Sequence, residues 1–138
     1  MKIALKEANK AYKKGEIPVG AIIVKNGKII SKAHNMKENK HVTTYHAEIL
    51  AINKACKKLK NWRLNNCELY VTVEPCMMCC GAILQSRLST VIYGTKNKNF
   101  GYSHILEKNN VKVIPDICNE KCKKNIQNFF VQKRNQNL

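Results

Sequence analysis

The chain has 138 residues, 44% of them hydrophobic and 25% charged, which suits one globular domain (1–138) with a real core and excludes a disordered polymer. Lys and Arg number 25 against 9 Asp and Glu, for a formal charge of +16. That balance favours acidic partners, with nucleic acid ahead of other acidic substrates or lipid surfaces, although 22 of the 25 are lysines, as AT-rich genomes produce by drift. No apolar run approaches the roughly 20 residues of a membrane helix, so no membrane association is expected. The charged start "MKIALKEANKAYKKGE" lacks a signal-peptide core, so a cytoplasmic location is expected. Seven cysteines, an odd count, fit thiols or metal ligands better than a disulfide framework. Asp116 is the sole aspartate, which nearly excludes aspartate-based chemistry.

Residues 2–14 place Ile3, Ala4, Leu5, Ala8, Ala11 and Tyr12 at helical spacing, and Gly15 stops the helix. "VGAIIV" (19–24) and "KIISKA" (28–33) flank Asn26-Gly27, a strong hairpin signal. Thr43 or Thr44 can cap a helix from about Tyr45 to Leu59. "CELYVTV" (67–73) reads as a strand, and Pro75 suits the opening of the helix that contains Gly81 to Leu84. "TVIYG" (90–94) and "VKVIP" (111–115) are further strands, and 119–134 forms a basic amphipathic helix with Cys122, Ile126, Phe129 and Phe130. This order predicts an α/β protein: a three-layer α/β/α sandwich around a mixed five-stranded sheet.

"VTVEPCMMCC" (71–80) packs three cysteines into five positions behind a proline. A catalytic zinc takes three His or Cys ligands and leaves a fourth position for water. Cys76 and Cys79, three apart at a helix mouth, put both sulfurs on one face, where the helix dipole favours thiolates. Cys80 is rotated by about 100° and points elsewhere, as a small buried residue. "TYHAEIL" supplies His46 as the third ligand, and Glu48 two residues on reaches the open side as a proton carrier. A redox CxxC would not need "HAE" upstream. A structural zinc would need a fourth ligand, for which Cys118 and Cys122 are the candidates. His34, His41 and His104 lie in polar stretches and read as surface residues.

HxE followed by PCxxC is the general signature of zinc-dependent nucleobase deaminases. Within that cytidine/deoxycytidylate deaminase superfamily the chain resembles the bacterial tRNA-specific adenosine deaminases. The likeness runs through "GEIPVGAIIV" (15–24), "HN" (34–35), "HAEILAI" (46–52), "LYVTVEPCMMCCGAI" (69–83), "SRLSTVIYG" (86–94) and "FFVQKR" (129–134). It implies the cytidine deaminase-like fold and hydrolytic deamination of adenosine to inosine at the wobble position of a tRNA anticodon loop. It implies one zinc per subunit on His46, Cys76 and Cys79, a zinc-activated water attacking C6, and Glu48 as the proton shuttle. Asn35 would hydrogen-bond the flipped adenine, and Pro18, Val19 and Ala47 would line its pocket. Asn97 would lie near the ribose. Phe129, Phe130, Lys133 and Arg134 of the last helix would help hold the anticodon stem-loop, although at least one of Phe129 and Phe130 is expected in the core. The resemblance also implies a homodimer.

Four positions depart from that pattern: Cys80 where a small residue is usual, Val42 and Asn97 where aspartates are usual, and a shorter segment between Tyr102 and Val111. Losing the charge at Asn97 bears on how strictly RNA is preferred over DNA. One alternative is a deaminase of the same fold acting on a free base or nucleoside, for which +16 would be unnecessary. Another is a zinc-stabilised RNA-binding module without catalysis, which would not need Glu48.

Overall fold

The structure, a computed structural model, describes residues 1–137. The elements run α1 (Lys2–Lys13), β1 (Gly20–Lys25), β2 (Lys28–His34), α2 (Lys37–Lys40), α3 (Ala47–Leu59), β3 (Cys67–Val73), α4 (Met77–Gln85), β4 (Thr90–Thr95), α5 (His104–Lys108), β5 (Lys112–Ile114) and α6 (Asn119–Gln136). The strands form the expected five-stranded sheet in the order β2-β1-β3-β4-β5. β1 pairs antiparallel with β2 and β3, while β3, β4 and β5 are parallel. Asn26 and Gly27 both have positive φ, 51° and 75°, as the tight hairpin turn requires, and Lys25 pairs with Lys28 across it.

α1 and α6 cover one face of the sheet. α1 buries Ala4, Ala8 and Ala11, small enough for its backbone to lie directly on β1. Gly20 is the matching concession, since a Cβ there would fall on the Ala4 carbonyl. α6 makes a similar approach at Gly94, where a Cβ would meet Cys122. Phe129 closes the seam between the helices, edge-on to Tyr12 with ring centroids 5.7 Å apart. The opposite face holds the main core: Ile23, Leu69, Val71, Val91 and Tyr93 from the strands, Ala47, Ala51 and Ala55 from α3, and Cys80 and Ile83 from α4. Alternate strand residues serve the two faces, which is why the three layers follow from the pattern. Among the described residues no helix is long and apolar enough to cross a membrane.

The structure corrects several local expectations. Neither Thr43 nor Thr44 caps α3: the helix starts at Ala47 with His46 as its extended N-cap. A turn in which the His46 N–H donates to the Thr44 carbonyl at 2.7 Å sets the imidazole at the helix mouth. Pro75 does not open α4, whose N-cap is Cys76. Instead the Pro75 carbonyl accepts the Tyr102 N–H at 3.0 Å. His34 is not a lone surface histidine: its Nδ1 lies 3.1 Å from Glu7 and its Nε2 3.3 Å from Lys14.

Candidate active site

α3 and α4 point their N-termini at one another beyond the carboxyl ends of β3 and β4, the usual place for a site on parallel strands. His46 Nδ1 lies 3.7 Å from Cys76 Sγ and 3.5 Å from Cys79 Sγ. One ligand atom from each of these residues falls within 4.8 Å of the others. Cys80 lies apart, buried, with its thiol 3.7 Å from the Pro75 carbonyl. Neither Cys118 nor Cys122 joins the group, and Cys122 is buried against Gly94 instead.

The three donors are electrostatically coupled. The Cys79 thiol hydrogen-bonded to it, and then His46, hold Cys76 down at about 3 despite burial. Cys79 is pushed up by that same contact and by burial. His46 is raised by its hydrogen bond with Cys76. Two sulfurs and an imidazole nitrogen are the donors zinc takes in catalytic sites that keep a fourth position open, so the residues present fit the metal that the motif implies. Glu48, only 4% exposed, sits beside His46 and Cys76 on the wall of a cleft of about 880 Å³. Burial pushes its carboxyl up to about 7, so near neutral pH it can either hold or release a proton.

The cleft gathers most of the expected binding residues. Asn35, Val19, Ala47 and Asn97 line it. Pro18 does not: it is fully buried, and Ile17 takes the wall position beside Val19. Asn35 is fixed at both ends of its amide, Nδ2 donating to the Ile17 carbonyl at 3.3 Å and Oδ1 accepting the Lys37 N–H at 3.2 Å. Each end keeps capacity for one more partner. The buried Glu16 carboxylate steadies this wall. It accepts the Glu38 and Asn39 N–H groups at 3.0 and 2.7 Å, satisfying the open N-terminus of α2 from a neighbouring loop.

Glu74, just before Pro75, does the same for the opposite wall. One carboxylate oxygen accepts the Asn97 N–H at 3.2 Å, and the other accepts the Ser103 N–H at 3.2 Å and its hydroxyl at 2.6 Å. The loop 97–103 is therefore tied to the strand end that carries Cys76. The segment expected to be short between Tyr102 and Val111 forms α5, whose Leu106 enters the core.

On α6 the structure separates the expected contacts. Lys123, Ile126, Gln127 and Phe130 line the cleft, a single face at helical spacing. Phe129 is turned the other way, 5% exposed and packed on Tyr12, so its expected substrate contact gives way to a core role. Lys133 and Arg134 are exposed but outside the cleft, with Lys133 Nζ 5.7 Å from the Phe129 ring. Sequence reading missed Glu16, Glu74, Ile17 and Phe100. Only Glu16 and Glu74 left a signal there, as carboxylates within otherwise apolar motifs.

The sequence model of the MafB19-like deaminase family matches residues 1–135. A tRNA-specific adenosine deaminase of Bacillus subtilis is 43% identical, the match covering 97% of this chain and 88% of that one. One of Aquifex aeolicus is 54% identical over 73% of this chain and 67% of its own. A solved structure from studies of A-to-I editing by tRNA:A34 deaminases at the wobble position superposes with a TM-score of 0.86 at 31% identity, covering 91% of this chain and 96% of that one. The ligand triad, the buried glutamate and these likenesses over nearly the whole length agree: the chain belongs to the tRNA-specific adenosine deaminase family.

Proposed function

We propose that the protein hydrolytically deaminates adenosine to inosine at the wobble position of a tRNA anticodon loop, with one zinc ion per subunit on His46, Cys76 and Cys79. The observation that carries this reading is the convergence of those three ligand atoms beside buried Glu48 at the wall of a cleft. When bound, zinc supplies a Lewis acid that lowers the pKa of water enough for it to act as a nucleophile near neutral pH. Glu48 takes a proton from the attacking water and delivers it to the departing amino nitrogen, so adenine plus water becomes hypoxanthine plus ammonia. Asn35 presents one donor and one acceptor site to the flipped base, and Val19, Ala47 and Ile17 give it apolar walls. Asn97 lies where a ribose would pass. Lys133 and Arg134 extend the positive surface beyond the cleft.

An anticodon loop suits such a site, because unpaired bases cost less to extrude than paired ones. A net charge of +16 suits RNA better than a free base. Glu48 has no use in a purely structural zinc module. The same reading includes a homodimer, for which exposed Met77 and Met78 on α4 offer apolar surface, and a cytoplasmic location, where tRNA is used. The test is incubation of zinc-loaded protein with an anticodon stem-loop carrying adenosine at the wobble position, followed by digestion and nucleoside counting. Inosine at that position alone is expected. Turnover of free bases or nucleosides with none of the hairpin would replace this reading by a free-base deaminase.

A further inference from the structure

We propose that Phe100 is a stacking platform for an unpaired base next to the target adenosine, with Lys96 and Lys98 meeting the phosphates on either side of it. The inference rests on the RNA substrate proposed above and adds a residue to its recognition. Phe100 is 72% exposed, ahead of Met77 and Trp62 among the exposed large apolar side chains, yet it lines the cleft. A free loop would tend to fold such a ring against the protein. This loop is braced instead. The Phe100 N–H donates to Asn97 Oδ1 at 3.1 Å, the Gly101 N–H donates to the Asn97 carbonyl at 2.9 Å, and the Asn97 N–H is held by Glu74. At Gly101 the backbone lies against the Glu74 carboxylate, which a Cβ there would strike.

Charge names the occupant. Exposed Lys96 and Lys98 alternate with the loop's polar residues beside the ring, and Lys37 and Lys123 stand elsewhere on the cleft wall. Glu38, Glu48, Glu74 and Asp116 are the acidic residues of the cleft lining; Glu48 is buried, Glu74 is taken up by Asn97 and Ser103, and Asp116 is engaged by the Asn119 amide at 2.9 Å. A cationic rim around an exposed aromatic fits a polyanion that carries flat apolar faces, which is single-stranded nucleic acid. Phe130, 44% exposed on α6, offers a second ring on the same cleft. Stacking needs no particular base, so Phe100 acts on affinity for the loop and not on the identity of the target.

The test uses zinc-loaded full-length protein and its Phe100→Ala, Phe100→Leu and Phe100→Tyr variants on the wobble-adenosine stem-loop. KM is expected to rise about tenfold in the Ala and Leu variants, the loss of one base stack, with kcat and zinc content nearly unchanged and the Tyr variant close to the unaltered protein. Equal KM for all four proteins would overturn the proposal, as would a shift of the Ala variant to a smaller assembly in sedimentation, which would make Phe100 an interface between copies. A second arm works without turnover: Phe100→Trp in a Trp62→Phe background is titrated with a single-stranded oligonucleotide. Quenching of its fluorescence supports the stack, and none refutes it. If the unaltered protein makes no inosine, the substrate reading fails and the quenching arm alone decides this inference.

Discussion

Replacing Glu74 by Gln isolates the brace on the cleft wall from the metal ligands beside it. The carboxylate accepts hydrogen bonds from Asn97 and, twice, from Ser103. A glutamine can keep both Ser103 bonds through its carbonyl oxygen, but its NH2 then faces the Asn97 N–H, donor against donor. One charge-assisted bond is lost and one donor stranded, a cost of about 2 kcal/mol. For a chain of this length that is about 8 °C in Tm, at about 4 °C per kcal/mol. Thermal melts, metal analysis and hairpin kinetics would be measured together. Tm should fall by that amount, zinc content should hold, and KM for the stem-loop should rise more than kcat falls, because the loop moves and the ligands do not. An unchanged Tm and KM would refute the brace. Zinc loss in proportion to activity loss would show that Glu74 acts on Cys76 instead of on the loop.

Glu48→Gln should keep zinc and RNA bound while deamination drops by about 10²- to 10⁴-fold, the contribution of a positioned proton carrier; turnover near that of the unaltered protein would sink the mechanism. Cys79→Ala should emerge without stoichiometric zinc and Cys80→Ala with it, as metal analysis will tell. Glu16 offers a pH test. Burial opposes its ionisation, but the hydrogen bonds from Asn39 and Glu38 outweigh that and hold its carboxyl below the ordinary 4.5. Its contribution to stability is therefore complete above that ordinary value and is lost as pH falls through the lowered folded one. In denaturant melts the gap between the unaltered protein and Glu16→Gln should be widest near neutrality and close in acid; a gap that stays constant would contradict the sign. Gly20→Ala drives a methyl into the backbone of α1 and should lower stability by about 3 kcal/mol, read as an earlier unfolding midpoint.

What the sequence reveals of this protein is what it encodes locally. Asn26-Gly27 between β-branched runs gives the hairpin, the spacing of Cys76 and Cys79 gives one metal-facing pair, and "HAE" gives the third ligand with its proton carrier two residues on. That the sheet mixes antiparallel and parallel strands then follows from the hairpin and the alternating elements, while the strand order comes from the structure. The carboxylates that hold the cleft walls stand out in their apolar motifs, but what they bind is illegible because their partners are distant: Glu16 meets Glu38 and Asn39, and Glu74 meets Asn97 and Ser103. No periodicity records a bond across more than twenty residues. α2 and α5, four and five residues long, are too short to show a helical repeat. Phe129 and Phe130 read alike as neighbours on a basic helix. Only the position of α1 decides that the first is core and the second is cleft.

Cys76 and Gly101 face each other as an isolated antiparallel bridge, and Tyr102 donates to the carbonyl of Pro75 next door. A sulfur ligand and the loop that fronts the cleft thus share one stretch of ordered backbone. Two guests that each require the same stretch to be ordered assist one another: whichever arrives first leaves less conformational entropy for the second to lose. Thermodynamic reciprocity makes that help equal in both directions. Zinc on Cys76 and RNA on the loop, if each draws on this stretch, would raise one another's affinity by one common factor.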